Sequence, residues 1–185
     1  YFIVTLCYWK FTLTDGALRM LVVLYFHELG YSPLEVASLF LLYEFFGVIT
    51  NLTGGWVAAK YGLSVTLNLG LILQILSLTM LLAPTSELTV LYVMVAQAIS
   101  GIAKDLNKMS AKSRIKLLVL DKNQGQLFKW VAFLTGSKNT IKGLGFFLGG
   151  FLLANIGFQK TIILLIGLIV LALLASVIIL KSNER

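Results

Sequence analysis

Charge is scarce in this chain, and acid is scarcest of all. Only 12% of the 185 residues are charged, with 8 Asp and Glu against 15 Lys and Arg. Soluble domains carry about a quarter charged residues, so composition excludes an ordinary water-facing globule. Between residues 20 and 100 there is no aspartate, only Glu28, Glu35, Glu44 and Glu87. Cys7 is the single cysteine and His27 the single histidine. An internal disulfide is therefore excluded, a Cys/His metal set has no partners, and no cofactor is expected. The chain also lacks a starting Met and the charged n-region of a signal peptide. Tyr1 already stands in an apolar run and Arg185 closely follows another. The expectation is a piece of a longer polypeptide.

What the chain does have is grease. Hydrophobic residues make up 58% and the mean hydropathy is +0.92. This length accommodates about six spans of ~20 residues. The reading is an all-α polytopic membrane protein whose first partner is the lipid bilayer. Spans are predicted at about 1–27, 33–59, 63–83, 88–110, 125–154 and 159–180. "GYSPLEVA" opens the second. Ser32 can cap it, Pro33 suits the first helical position and Glu35 stands where a capping box needs it. Pro84 marks the end of the third span. Many cations lie inside apolar segments, so nucleic acid is not an expected partner. The net charge of +7 points to inward-facing loops, an anionic ligand or both.

Loop charges predict orientation. Lys60 follows span two, Lys112, Arg114, Lys116 and Lys122 follow span four, and Lys181 and Arg185 follow span six. The opposite connections offer only Lys160. The positive-inside rule then puts the amino end in the cytoplasm, with the protein in the cell's inner (plasma) membrane.

An internal repeat is visible. "GGWVAAKYG" (54–62) ends span two and "GGFLLANIG" (149–157) ends span five, 95 residues later, with Gly, Gly, Ala and Gly in register. Asp15, Arg19 and Met20 match Lys104, Lys108 and Met109 in spacing at an offset of 89. Spans two and five run in opposite directions, so the pattern predicts a six-helix bundle built as a three-plus-three inverted repeat, a transporter architecture.

Charge is unevenly shared among the spans. Span one carries Asp15 and Arg19. Span two carries Glu44, with Asn51 about two turns on. Span four carries Lys104, Asp105 and Lys108, and span five carries Lys138, Asn139 and Lys142. Spans three and six are free of formal charge in their interiors. A charge at mid-bilayer costs about 3 kcal/mol on insertion scales. Spans one, two, four and five should therefore surround a shared polar space, with three and six able to face lipid. Arg19, Lys104, Lys108, Lys138 and Lys142 face Asp15, Glu44 and Asp105, an excess of two positive charges. A set of structural ion pairs should come closer to neutrality, so a multiply charged anion is the more economical partner. Arg grips phosphate-like groups with two parallel bonds and Lys acts as a point charge. Plainer readings stand beside this one. Lys104 and Lys108 could snorkel, and Asp15 and Arg19, four apart, could be a structural pair. Glu44 could bond a cation across the space or carry a coupling proton, and Asp15 and Asp105 are further candidates for proton coupling or ion pairing. Lys129 reads as an interfacial anchor. Trp9, Trp56 and Trp130 read as an interface belt, and Gly143, Gly145, Gly149 and Gly150 as close helix packing.

An enzyme reading fails on spacing. "DGALR" begins like the signature of the CDP-alcohol phosphotransferases, but the Ala-Arg spacing differs and the two further aspartates are absent, so a two-metal site cannot easily be assembled. A non-transporting helical subunit would not explain charge confined to four spans in repeat order.

The layout resembles the amino-terminal half of a major facilitator superfamily permease, which implies that the carboxy-terminal half of the same chain is missing; in that family helices one, two, four and five line a central cavity. "GGWVAAKYG" keeps Gly55 and Gly62 of that family's loop signature but has Ala59 at its Asp position. The stretches "FTLTDGALRMLVV", "GYSPLEVA", "GVITNLTGGW", "SGIAKDLNKMSAKSRIKLL" and "LTGSKNTIKGLGFFLGG" are similar to the organoarsenical efflux permeases. That resemblance implies export of 1-arseno-3-phosphoglycerate, functional linkage to a glyceraldehyde-3-phosphate dehydrogenase that makes it, and arsenate resistance. The residues themselves indicate only a small anionic substrate. Arg19, Lys104, Lys108, Lys138, Asn139 and Lys142 are the expected contacts, and another organic phosphate is the alternative cargo.

Overall fold

In the computed structural model, which describes residues 2–119 and 124–182, every regular element is helical. The helices are α1 (Phe2–Glu28), α2 (Pro33–Ser38), α3 (Leu41–Tyr61), α4 (Leu63–Met80), α5 (Val90–Val119), α6 (Gln124–Ile156) and α7 (Phe158–Ser182), with a single 3-10 turn at Thr85–Glu87. The second predicted span is divided into α2 and α3 by a turn at Leu39 and Phe40, so seven helices make six membrane segments. Lys122 and Arg185, and the side chain of Lys181, lie outside what is described, as does the middle of the polar connection before α6.

Local chemistry sets the ends. The Ser32 side chain accepts from the Glu35 N–H at 3.3 Å, and the Ser32 N–H donates to Glu35 Oε2 at 3.0 Å. This reciprocal box starts α2 with Pro33 behind it. At the other end of the same segment, Gly62 adopts φ 87°. Its repeat counterpart Gly157 adopts φ 84°. Both sit in the left-handed region that a Cβ disfavours. Each lets one helix stop and the next begin at the following residue, which explains why the nonapeptide repeat ends on glycine.

Long membrane segments do not gain from the hydrophobic effect when they associate, because lipid is as apolar as leucine. Close packing and interhelical hydrogen bonds must hold them. α1 lies along α6, and α5 lies along α3 and α4. α7 closes the bundle against α1 and α4. The main core joins Phe11, Leu18 and Phe26 of α1 to Leu71 and Leu78 of α4 and to Ile162 and Ile169 of α7. Ser77 donates to the Ala96 carbonyl at 2.7 Å, Ser100 to Gln74 at 2.9 Å and Ser176 to Asn68 at 2.6 Å. Such bonds contribute about 0.6 kcal/mol each in membrane bundles.

Two closely packed helix pairs, α1 with α6 and α3 with α5, make the inverted repeat visible. A Cβ on Gly16 of α1 would stand 2.8 Å from the Lys142 carbonyl of α6. At the repeat offsets, Gly16 corresponds to Asp105 and Lys142 to Gly47. In the second pair a Cβ on Gly47 would stand 2.6 Å from Asp105 Oδ2. One contact has its small member on the inner helix and the other on the flanking helix. About two turns along the flanking helices, Gly149 packs on the Ala17 backbone, and a Cβ on its counterpart Gly54 would stand 2.9 Å from the Met109 sulfur. Glycine at these positions permits the approach. In each pair residue numbers rise together, so α1 runs parallel to α6 and α3 parallel to α5.

Three segments are long and apolar enough to cross a membrane by composition: Pro33–Tyr61, Leu63–Met80 and Phe158–Leu180. α1, α5 and α6 have the length, at 27, 30 and 33 residues. They carry most of the charge, and they are the three helices that enclose the polar cavity described next.

Candidate anion site

Two regions share the buried charge. The first is a network between α1, α3 and α5. Arg19 Nη2 donates to Glu44 Oε1 at 3.0 Å. The other Glu44 oxygen lies 3.8 Å from Lys104 Nζ. Lys104 and Lys108 each come within 3.9 Å of an Asp105 oxygen, beyond hydrogen-bond length. Asn51 Nδ2 donates to Asp105 Oδ1 at 3.2 Å. Asp105 is the pivot. Its side chain is 3% exposed, and it reaches α3 only because Gly47 has no Cβ in its way. Glu44 is by contrast largely open.

Tyr43 ties this network to Asp15. Its hydroxyl donates to Asp15 Oδ1 at 2.9 Å, with Oδ2 at 3.2 Å. Lys104 Nζ sits 4.3 Å from the Tyr43 ring centroid and Arg19 Cζ 5.3 Å from it. Arg19 also lies 5.2 Å from the Phe40 ring. Ring faces are electron-rich, and cation–π attraction contributes about 0.5–2 kcal/mol depending on desolvation. Arg19 therefore bonds to Glu44 across the gap, and Asp15, its neighbour four residues back, is held by Tyr43. The short-range pairing of Asp15 with Arg19 that their spacing allows is not the arrangement found.

The second region is a cavity of about 90 Å³ between α1, α5 and α6. Lys104, Lys108, Lys138 and Lys142 line it, with Asp15 as the acid, and Tyr8, Phe11 and Thr12 of α1 form the wall. Among the described residues, no carboxylate forms an ion pair with Lys138 or Lys142. The Lys142 ammonium lies 6.0 Å from the Phe146 ring and feels the Asp15 charge across the cavity without closing an ion pair with it. The two α6 lysines, four residues apart, thus share one face toward the cavity. Asn139, one residue round the helix, is exposed and does not line it. Arg19 and Glu44 stand outside the cavity, in the network above it.

Sequence reading overlooked Tyr43, Tyr8 and Thr12. One signal for Tyr43 was available: Tyr43, Gly47 and Gly54 fall on one face of α3 within roughly 40° at 100° per residue. Two helix-packing glycines in line with a tyrosine mark the face turned to α5. Nothing local distinguishes Tyr8 or Thr12 from other aromatic and hydroxyl residues of α1.

The charges of the cavity suit an anion. Its volume lies below the range of about 300–1,000 Å³ usual for small-molecule sites, so it accommodates a charged end group and not a whole organic anion. Comparison with protein families matches the sequence model of the Major Facilitator Superfamily to residues 4–185. No curated protein matches the chain.

Proposed function

Because the chain belongs to the Major Facilitator Superfamily and so is a multi-pass membrane transport protein, we propose that its cargo is a small, multiply charged organic anion. The anion is exported by alternating access, and 1-arseno-3-phosphoglycerate is the specific substrate. The observation that carries the anion is the pair Lys138 and Lys142, which face the cavity without an ion-pair partner among the described residues while Arg19, Lys104 and Lys108 have one. The arsenical rests on the similarity of the stretches around Asp15, Lys104 and Lys138 to the organoarsenical efflux permeases. A phosphate at one end and an arsenate ester at the other would suit two cationic grips. In this reading Lys138, Lys142 and Lys108 hold one end, and Arg19 and Lys104 become available to the other when Glu44 yields. The amino end faces the cytoplasm in the inner membrane, and a glyceraldehyde-3-phosphate dehydrogenase supplies the substrate.

The physics of the cycle follows from the charge count. Five cations against three acids repel one another in a medium of low dielectric. A bound dianion removes the excess, so the arrangement in which α1, α5 and α6 close around it becomes the favoured one. Asp15, Asp105 and Glu44 are the groups able to take a proton in exchange. Asn139, exposed, is assigned to the mouth of the path and not to the grip.

The test uses the full-length transporter in arsenate-sensitive cells that also make the dehydrogenase. Lys138→Gln/Lys142→Gln should abolish resistance at unchanged membrane expression; full resistance would sink the cavity assignment. Everted vesicles separate the second reading, another organic phosphate. Accumulation of the labelled arseno ester without competition by glycerol 3-phosphate supports the arsenical, and the reverse pattern replaces it.

A further inference from the structure

A larger hollow lies on the other flank of the α1–α6 pair. The two helices touch closely at Gly16, Gly145 and Gly149, and nearer their amino ends their side chains leave a hollow. The opening there is a crevice of about 590 Å³, within the range of small-molecule sites. Its walls are Phe2, Leu6 and Trp9 from α1 and Trp130 and Phe133 from α6, and Lys129 stands at its edge. The aromatic wall is ordered. Trp9 Nε1 donates to Ser137 Oγ at 3.0 Å, and the Phe133 ring lies 6.0 Å from Trp9 and 5.9 Å from Trp130.

Helix geometry separates this crevice from the anion cavity. At 100° per residue, Leu6 and Trp9 lie roughly 110–170° around α1 from the mean direction of Tyr8, Phe11, Thr12 and Asp15. On α6, Lys129 and Phe133 lie roughly 140–180° from Lys138 and Lys142, and Trp130 about 80–120° from them, on the side of the helix between the two hollows. One flank of the pair faces the bundle's polar centre and the other faces away from it. Lys10 joins the outer flank, one turn beyond Leu6. It is half-buried, and among the described residues neither Lys10 nor Lys129 forms an ion pair with a carboxylate.

An apolar slot, tryptophans and a lysine at the rim, at the end of two membrane helices, match an amphiphile with a negative head. We propose that the crevice binds one anionic phospholipid, an acyl chain lying between Leu6, Trp9 and Phe133 and the head phosphate on Lys129. Lys10 adds positive potential from the adjoining turn. Tryptophan at the headgroup level and basic crevices between membrane helices are the physical ingredients of such sites. The leaflet is the one that meets the amino ends of α1 and α6. The assignment stands apart from the identity of the transported anion.

Brominated lipids quench tryptophan on contact, so the full-length protein reports its own occupancy. It is reconstituted in phosphatidylcholine vesicles containing equal mole fractions of either brominated phosphatidylglycerol or brominated phosphatidylcholine. Trp9→Phe/Trp130→Phe identifies the fluorescence that comes from the crevice. The expected result is preferential quenching of that component by phosphatidylglycerol, by about fivefold in relative association, the weight of one basic residue at an anionic surface. Lys129→Gln should bring the ratio to near one, and Lys129→Arg should keep it. Equal quenching by both lipids in the unsubstituted protein, or a ratio unmoved by Lys129→Gln, overturns the site. Absence of quenching by either lipid also overturns it, because protein would then fill the slot, from a second copy or another segment of the chain.

Discussion

The lysines of α5 and those of α6 come from comparable places in the sequence and end in different electrostatic surroundings. Lys104 and Lys108 are four apart, as are Lys138 and Lys142, and all four line the same cavity. Yet Asp105 and Glu44 partner the α5 pair, while no carboxylate of the described residues pairs with the α6 lysines. The difference traces to one helix contact. Gly47 leaves room for the Asp105 carboxylate between α3 and α5, and at the repeat-equivalent contact Gly16 leaves room for the backbone of Lys142. The same close approach brings an ion-paired acid to one cluster, while the other faces Asp15, which Tyr43 holds, without an ion pair. A transporter needs both conditions: cations held in place, and cations still open to a guest.

Removing the open pair of lysines should have the largest effect. Lys138→Gln and Lys142→Gln should each lower apparent affinity for the transported anion by about 10- to 100-fold, the worth of one charge-assisted bond. Competition uptake in everted vesicles measures this. A loss confined to Lys104→Gln or Lys108→Gln would reverse the proposed roles. Next in size are the closest backbone contacts between helices. Gly149→Ala and Gly101→Ala place a methyl group against backbone, of Ala17 and of Tyr43 respectively. Each should destabilise by about 1–3 kcal/mol, seen as a lowered melting temperature in detergent. Gly143→Ala, with open space around it, should be neutral or stabilising by about 0.5–1 kcal/mol. Tyr43→Phe keeps the ring that Lys104 and Arg19 approach and deletes only the bond to buried Asp15. It should cost about 1–3 kcal/mol of stability, and the same thermal assay reads it. Asp105→Asn should make the α5 lysines resemble those of α6. Anion affinity should rise a few-fold and turnover should fall, since charge repulsion between the empty helices grows. Unchanged affinity would mean that Asp105 does not restrain them. The smallest effect is expected at Asn139→Ala, which should leave anion transport within about twofold of the parent, as exposed positions usually do.

Particular elements show how far the residue order could be read. The capping box at Ser32 and Glu35 is a local bond pattern, and it is found as its spacing indicates. The glycines at 62 and 157 are likewise local, being places where only backbone without a Cβ turns easily. The all-α class and the confinement of charge to certain helices follow from the cost of exposing polar groups to lipid. The turn at Leu39 and Phe40 carries no glycine or proline and left no trace in the pattern. α5 continues to Val119, well past the predicted end near residue 110, since the lysines and serines of its last turns are compatible with helix and only hydropathy falls there.

The partner of each charge was not legible in the same way. Spacing puts Asp15 and Arg19 on one helix face, but Tyr43 holds the first and Glu44 the second.

Residue order alone determined that this chain is a bundle of membrane helices in two related halves, with cations gathered on the inner and flanking members. Its periodicity and its glycine positions are properties of each helix by itself. Only the tertiary structure decided which cations meet an acid, which meet a ring and which remain open to the cavity. Those outcomes depend on distances of 3 to 4 Å between side chains of different helices, set by how closely the backbones approach. A single absent Cβ, as at Gly47, is enough to change them.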